Sequence, residues 1–348
     1  MSSINPAFAN ELKKYGAINF NACYNCGNCT AVCSLSTTES SFPREMVRLS
    51  TLGLEDDMKA SLKPWECYYC GECSTYCPQE AHPAELMMSL RRYLTAMYDW
   101  TGLSGLLYKY LSLTLTAFVL IFLGVLYFAH TVEYDLASML HTGHMFEAIA
   151  IGSIGLVILL PNVARMWYFT IIKPKVKVPF SKYVKSLGEL FVHMFTQKRA
   201  LGCDDNQLRW FEHFILVIGY LSLLFTTVAL NWFGTSNILI IGFGYLVSAI
   251  VFVVTIDFVG DRIKKNKEIS KHSQPSDMFF VIWLFFMGLS AFLVRLFIDL
   301  NILETNKWLY IFHLTVLAQW ALIIVPFGKW THFLYRSFAM YFAKLKEV

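Results

Sequence analysis

The sequence comprises 348 residues, of which 56% are hydrophobic and 16% are charged, and its mean hydropathy is +0.47. Soluble globular domains carry about a quarter charged residues, so this composition excludes an ordinary soluble protein and indicates a membrane protein. The formal net charge of +4 is modest, and we predict no nucleic-acid partner.

Two cysteine motifs dominate the N-terminal region, which holds eight of the nine cysteines within its first 77 residues. The motifs are Cys23-x-x-Cys26-x-x-Cys29-x-x-x-Cys33 and Cys67-x-x-Cys70-x-x-Cys73-x-x-x-Cys77-Pro78. Bacterial ferredoxins use this spacing, in which three cysteines of a motif bind one [4Fe–4S] cluster and the fourth binds the other cluster. The predicted ligands are Cys23, Cys26, Cys29 and Cys77 for one cluster, and Cys67, Cys70, Cys73 and Cys33 for the second.

The alternative for these cysteines is a pair of zinc sites, but zinc ribbons use pairs of CxxC rather than a triple repeat. Gly27 and Gly71 follow the second cysteine of each motif, where the backbone must turn tightly beside the cluster. A helix-like stretch over residues 43–62 separates the motifs and predicts a mainly helical two-cluster domain. Cys203 stands alone in a polar loop, and we interpret it as a thiol without a ligand role.

The composition changes near residues 100–106, after which six runs of roughly twenty apolar residues occur. Each run is long enough to cross about 30 Å of hydrocarbon as a helix. We therefore predict an all-α fold, with an N-terminal α-helical ferredoxin-like domain over residues 1–100 and a six-helix transmembrane bundle over residues 101–348. The approximate predicted spans are 110–130, 144–169, 214–233, 238–259, 278–298 and 308–327.

Lysine and arginine are concentrated in alternate connections between the predicted spans. Nine occur from Arg165 to Arg209 and five follow Val259, whereas residues 131–143 and 234–237 have none. The positive-inside rule therefore predicts a multi-pass protein of the cytoplasmic (inner) membrane, with both termini and the cysteine domain in the cytoplasm. Residues 180–196 have amphipathic spacing, which favours either a helix along the membrane surface or a helix packed on the bundle.

Histidines inside the predicted spans are candidate ligands of b-type haem, because a pair of imidazoles from two helices suits electron transfer. His313 and His332 lie nineteen residues apart on the last span, which is about 28 Å along a helix. They therefore belong to opposite membrane surfaces. His213 begins the third span level with His332, and these two histidines are the predicted ligands of an inner haem b.

An outer haem b requires a second ligand that lies level with His313. His144, at the head of the second span, is best placed, and His141 and His130 are alternatives at similar depth. The sequence thus predicts two haems b, with the inner one as the minimum.

Ionisable residues near the outer histidines indicate a quinone site, which needs a proton carrier and a hydrogen-bond donor to a carbonyl oxygen. The candidates are Glu147, His130, His141 and Arg295. Arg295 can instead hold a haem propionate. Lys329 and Arg336 flank His332 and either hold propionates of the inner haem or anchor the helix at the cytoplasmic surface.

The N-terminal half resembles a known family. The segment from Cys23 to Arg92, with Phe42-Pro43-Arg44-Glu45-Met46 between its two cysteine motifs, resembles the C subunit of heterodisulfide reductase. Its fusion to a membrane domain resembles the C subunit of the quinone-interacting membrane-bound oxidoreductase (Qmo) family.

The membrane half from Arg209 onward resembles the cytochrome b of the nitrate reductase gamma type. The matching residues are Arg209-Trp210 before His213, and His313 with Pro326-Phe327 and His332. The gamma-type cytochrome carries a second histidine on the helix of His213, where this chain has Leu223. An outer haem would therefore depend on a histidine of the second span.

The resemblance implies a membrane electron-transfer subunit of a multi-subunit oxidoreductase. Electrons would pass between a soluble flavin- and cluster-containing partner on the cytoplasmic side and the quinone pool, either menaquinone or ubiquinone, through two [4Fe–4S] clusters and haem b. The chain has no glycine-rich fingerprint for flavin or nicotinamide, so it holds no complete active site. The alternatives are a single-haem anchor and electron relay without its own quinone site and, more distantly, a redox-driven transport subunit.

Overall fold

The computed structural model describes residues 3–198, 201, 207–266 and 268–347, and Cys203 lies outside the described residues. Over this part of the chain the protein is 75% helical and has no strand. Six helices are long and apolar enough to span a membrane. The predicted all-α fold is therefore confirmed.

The N-terminal region is built from short helices around one long helix. Pro83–Tyr98 is buried at almost every position, because short helices and the end of the chain pack around it. Phe8, Trp65 and Tyr93 are fully buried beside it. The surrounding helices are Phe8–Lys14, Asn28–Ala31, Arg44–Thr51, Glu55–Ala60, Lys63–Glu66 and Glu72–Thr75, with a 3-10 turn at Phe20–Ala22, and Leu103–Lys109 leads to the bundle.

Six long helices, called spans one to six, form the bundle. Their bounds are Leu111–Thr131, Leu136–Ile172, Gln207–Val228, Ile238–Lys264, Pro275–Asp299 and Glu304–Lys346. Span two begins eight residues before the predicted start, because the side chain of Asp135 accepts a hydrogen bond from the backbone N–H of Ser138 at 2.8 Å and caps the helix there. His141 and His144 therefore lie within this helix. Span three ends at Val228, earlier than predicted.

Span six is interrupted in its second half. A wide helical turn at Trp320–Ile324 precedes Pro326, which has no N–H to donate to a helical hydrogen bond. The helix resumes over Thr331–Lys346 and packs against the N-terminal region. His313 and His332 thus belong to two separate helical segments.

The amphipathic segment packs on the bundle and also presents apolar side chains outward. It forms the helices Phe180–Lys185 and Leu187–Thr196. Leu190 is buried, and the Tyr341 hydroxyl donates a hydrogen bond to the Tyr183 carbonyl at 3.0 Å. On the opposite face, Phe180 and Phe191 are 81% and 55% exposed. The segment therefore combines features of both predicted arrangements.

A buried ion network fixes the N-terminal region on the bundle. Asp277, in the first turn of span five, accepts a hydrogen bond from Arg92 at 2.6 Å and lies 2.8 Å from the Lys329 ammonium. Arg92 also donates to the Tyr15 carbonyl at 2.9 Å. Removing one partner of such a network leaves a buried charge uncompensated. The cysteine motifs therefore have a defined position relative to the spans.

Candidate redox sites

The two cysteine motifs share one backbone conformation. Asn25 and Gly27 have positive φ angles of 67° and 94°, and Tyr69 and Gly71 repeat them at 59° and 95°. Each glycine caps a one-turn helix that carries the third cysteine of its motif. Because positive φ is readily adopted only by glycine, the glycine after each second cysteine allows the chain to wrap around the sulfur atoms.

The first group of thiols combines three cysteines of the first motif with the last cysteine of the second. Burial raises the pKa of the Cys29 thiol, and the charges of Cys23, Cys77 and Cys26 raise it further. Such interactions act over short distances between the sulfur atoms. The structure therefore brings Cys77 to the first motif, as the crossed ligand assignment requires.

The second group of thiols has the complementary composition. Burial raises the pKa of the Cys33 thiol to about 11, and the charges of Cys67 and Cys70 add to this effect. Burial also raises the pKa of Cys73, and the largest charge effects on it come from Cys67, Cys70 and Cys33. Cys33 thus lies with the second motif. Thiols with raised pKa values release protons when they bind metal.

The two groups face different surroundings. Cys26 is exposed, and the neighbouring Tyr24 and Tyr76 are 60% and 57% exposed. Cys70 instead lines a cavity that continues into the bundle. The first group therefore opens to the outer surface of the N-terminal region, and the second group opens toward the spans.

The cavity next to Cys70, called the cluster-end cavity, holds both predicted inner histidines. His213 comes from span three and His332 from the helical segment after the break in span six. The cavity has an empty volume of about 1410 Å³, its open mouth included. Other residues that line it are Tyr69, Met88, Arg91, Arg209, Trp210, Tyr220, Phe258, Arg262, Trp320, Lys329 and Arg336.

Arginine side chains connect this cavity to the second cysteine motif. The Arg91 guanidinium is buried and donates hydrogen bonds to the carbonyls of Pro64, at 2.7 Å, and Cys67. Arg209 donates to the Tyr69 carbonyl at 3.3 Å. Positive charge close to a cluster stabilises its thiolate ligands and any added electron.

A second cavity, called the far-end cavity, lies at the opposite end of the bundle. His141, His144 and Glu147 of span two and His313 of span six line it, and its empty volume is about 690 Å³. The Nδ1 atom of His313 lies 2.8 Å from the Ser290 hydroxyl oxygen, whereas its Nε2 atom is buried and has no hydrogen-bond partner. Such an imidazole, oriented at one nitrogen and free at the other, has the arrangement of a metal ligand.

Two of the four quinone-site candidates do not line the far-end cavity. His130 is exposed at the end of span one. Arg295 pairs with Asp299 at 2.7 Å and donates to the carbonyls of Trp232 and Thr235. Its guanidinium therefore holds the connection after span three, which argues against a role at a quinone or a propionate. Glu147 and His141 remain together in the cavity.

Three residues of these sites were not found by sequence reasoning. Arg91 and Tyr69 link the second motif to the bundle, and Ser290 orients His313. The adjacent arginines at 91 and 92, between a cysteine motif and the first span, were a usable signal, because buried charges are rare without a role. A serine within an apolar span is too common to indicate a ligand contact.

Together, the cysteine motifs and the six apolar helices define an iron–sulfur electron-transfer protein of the membrane. Residues 22–82 match the family model of the 4Fe-4S dicluster domain.

Curated relatives of the N-terminal region belong to heterodisulfide reductases or are named for their likeness to them. A protein of Archaeoglobus profundus, named as similar to the C subunit of heterodisulfide reductase, is 31% identical over 91 residues, which is 26% of this chain and 48% of the relative. The second C-type iron–sulfur subunit of the CoB–CoM heterodisulfide reductase of Methanocaldococcus jannaschii is 30% identical over 99 residues, covering 26% and 53%. The chain spans about half the length of these relatives. No solved structure matches it.

These similarities confirm the predicted likeness to the C subunit of heterodisulfide reductase over the cysteine region. They support an oxidoreductase subunit that transfers electrons through iron–sulfur chemistry. The relatives match only a quarter of this chain. The likeness of the membrane half to a gamma-type cytochrome b, and of the whole to the Qmo family, stays a prediction.

Proposed function

We propose that the protein is the membrane electron-transfer subunit of a multi-subunit oxidoreductase, passing electrons between a soluble flavin- and cluster-containing partner and the quinone pool. The proposed carriers are two [4Fe–4S] clusters and b-type haem. The observation that carries the proposal is the cluster-end cavity, because Cys70 of the second motif and the histidines 213 and 332 line the same space.

The residues of the cluster-end cavity suit a haem. His213 and His332 come from different helices and offer two imidazoles, aromatic and aliphatic side chains form much of the wall, and Arg209 and Arg336 bring positive charge for propionates. When bound, haem b supplies a one-electron carrier. Lys329 is less suited to a propionate because it pairs with Asp277.

The far-end cavity suits a second haem or a quinone. His313 offers its buried Nε2 atom, and His144 faces the same space. Glu147 is buried beside them, and a carboxyl group there can exchange a proton with a quinone as its charge changes. Menaquinone or ubiquinone is the proposed substrate.

The soluble partner would approach the face that exposes Cys26, since the first group of thiols opens there. The curated relatives are named after subunits of heterodisulfide reductases, which supports a partner that carries redox centres of its own. In the proposed orientation this face lies in the cytoplasm, where such a partner is available.

Haem counting tests the proposal. The purified chain is analysed by pyridine haemochrome together with its iron and sulfide content, and His213→Ala and His332→Ala are compared with His193→Ala, a histidine outside both cavities. We expect b haem in the wild type and in His193→Ala, and loss of one haem in each of the other two variants. A wild-type chain without haem would overturn the proposal.

One observation favours the single-haem alternative. The empty volume of the far-end cavity, about 690 Å³, is about half that of the cluster-end cavity. In this alternative only the cluster-end cavity holds haem, and the chain acts as an anchor and relay. A count of one haem, lost in His332→Ala and kept in His313→Ala, would establish it.

A further inference from the structure

Three metal-binding side chains meet where the second cysteine motif contacts the connection between spans four and five. His82 follows that motif, and Glu268 and His272 lie in the connection, almost two hundred residues later. One ligand atom from each residue lies within 4.8 Å of the other two. The imidazole rings of His82 and His272 are 4.9 Å apart. All three side chains are partly exposed, so an ion has access to them.

His82 is held in an unusual conformation for this contact. It caps the start of Pro83–Tyr98 with a positive φ angle of 44°, which is uncommon for a residue with a side chain of this size. Its Nδ1 atom is buried without a hydrogen-bond partner and lies 3.9 Å from the Oε1 atom of Glu268. A buried ring nitrogen that faces a carboxylate oxygen, with no hydrogen bond between them, leaves room for a cation.

Glu268 presents one carboxylate oxygen to the histidines. Its Oε2 atom pairs with Lys271 at 2.6 Å, so the orientation of the carboxylate is set from the side away from His82. Lys271 is half exposed at 52%, and its ammonium can move into solvent when a cation binds. Oε1 is therefore the ligand atom that the geometry provides.

We propose that His82, Glu268 and His272 bind one divalent transition-metal ion, with Zn²⁺ as the best match. Two imidazoles and one carboxylate are a common zinc ligand set, and a water molecule completes the tetrahedron. The ligand atoms must approach each other by about 1 Å, because zinc bonds to nitrogen and oxygen are about 2.0–2.2 Å long. Side-chain rotation of these partly exposed residues suffices for that approach.

The site would fasten the connection between spans four and five to the second cysteine motif. A Cβ atom at Gly71 would lie 3.3 Å from the Cβ atom of Glu268, and the Tyr69 hydroxyl lies 3.1 Å from the Ile269 carbonyl oxygen. The connection thus already touches the turn that carries Cys70. A bound cation would add a crosslink between the cysteine region and the bundle, independent of the ion network at Asp277.

Zinc X-ray absorption on the full-length chain with its clusters intact tests the site. The protein is loaded with one equivalent of Zn²⁺ and dialysed, and zinc content and the atoms bound directly to zinc are measured. We expect one zinc per chain with only nitrogen and oxygen neighbours, including two imidazoles. A sulfur neighbour at about 2.3 Å would overturn the proposal, because the ion would then be bound by cysteine.

Matched variants locate the ion. His82→Ala and His272→Ala are each expected to lose the zinc while keeping the iron content of the wild type. His193→Ala, which removes a histidine paired with Glu189 at 3.3 Å but without a third ligand, is expected to keep it. Equal zinc retention in all three variants would refute the site. Should His82→Ala also lose iron, His272→Ala decides, because His272 lies in the other half of the contact.

Discussion

Glu85 is a buried carboxyl group next to the second cysteine motif. It accepts a hydrogen bond from the Tyr69 hydroxyl, and only 3% of its surface is exposed. Burial raises the pKa of Glu85 from 4.5 to about 7, although Tyr69 and Arg92 act in the opposite direction. The folded protein therefore binds this proton more tightly than the unfolded chain does.

The consequence is a pH-dependent stability. Because the folded pKa is raised, the contribution of the protonated group is complete below about pH 4.5 and is lost as pH rises through about 7. We expect the free energy of unfolding to fall by up to about 3 kcal/mol over this window. Glu85→Gln should flatten the profile, whereas the exposed Glu39→Gln should leave it unchanged. Denaturant titrations in detergent at a series of pH values measure this, and identical slopes for both variants would contradict it.

Ser290 orients His313 in the far-end cavity, with 2.8 Å between its hydroxyl oxygen and Nδ1. Loss of such a supporting hydrogen bond typically weakens metal binding by about 10–100-fold. If a haem occupies this cavity, Ser290→Ala should release it more readily to a competing haem-binding protein. Ser153→Ala, at an exposed position of span two, is the control. Equal release from both variants would exclude a ligand role for His313.

At the scale of elements, the turns of the cysteine motifs depend on glycine. Gly71 has φ +95° and packs against Glu268, whereas Gly102 has φ +75° and has no atom within 4 Å of an added Cβ. An alanine costs about 1–2 kcal/mol at either position because of the backbone conformation. Only Gly71→Ala adds crowding beside Cys70. We expect Gly71→Ala to lose iron from the purified protein and Gly102→Ala to keep it, and equal iron contents would contradict this.

The sequence predicts these elements unevenly. Cysteine spacing and runs of apolar residues are local signals, so the two motifs and the six spans are visible in the chain itself. The extension of span six to Lys346 is not, because its last part carries charges and is stabilised by packing on the N-terminal region. The depth of a residue follows from its position along a helix, but the direction of its side chain depends on packing. For this reason Arg295 lies at the expected depth and yet outside the far-end cavity.

At the scale of the whole molecule, the fold arranges the candidate carriers in a line. The first group of thiols opens to the surface at Cys26, the second group adjoins the cluster-end cavity at Cys70, and His313 lies at the opposite end of the bundle. Contacts between residues far apart in sequence create this order. Those between His82 and His272, or between Arg92 and Asp277, have no local signal in the sequence.

The central claim is that electrons pass between the clusters and a quinone through the cluster-end cavity. The most direct test is to reduce the purified chain chemically, add a quinone analogue, and follow reoxidation of the clusters by freeze-quench electron paramagnetic resonance. We predict rapid reoxidation in the wild type and in His130→Ala. In His332→Ala, with its iron content intact, we predict reoxidation no faster than without quinone. Wild-type rates in His332→Ala would contradict the account.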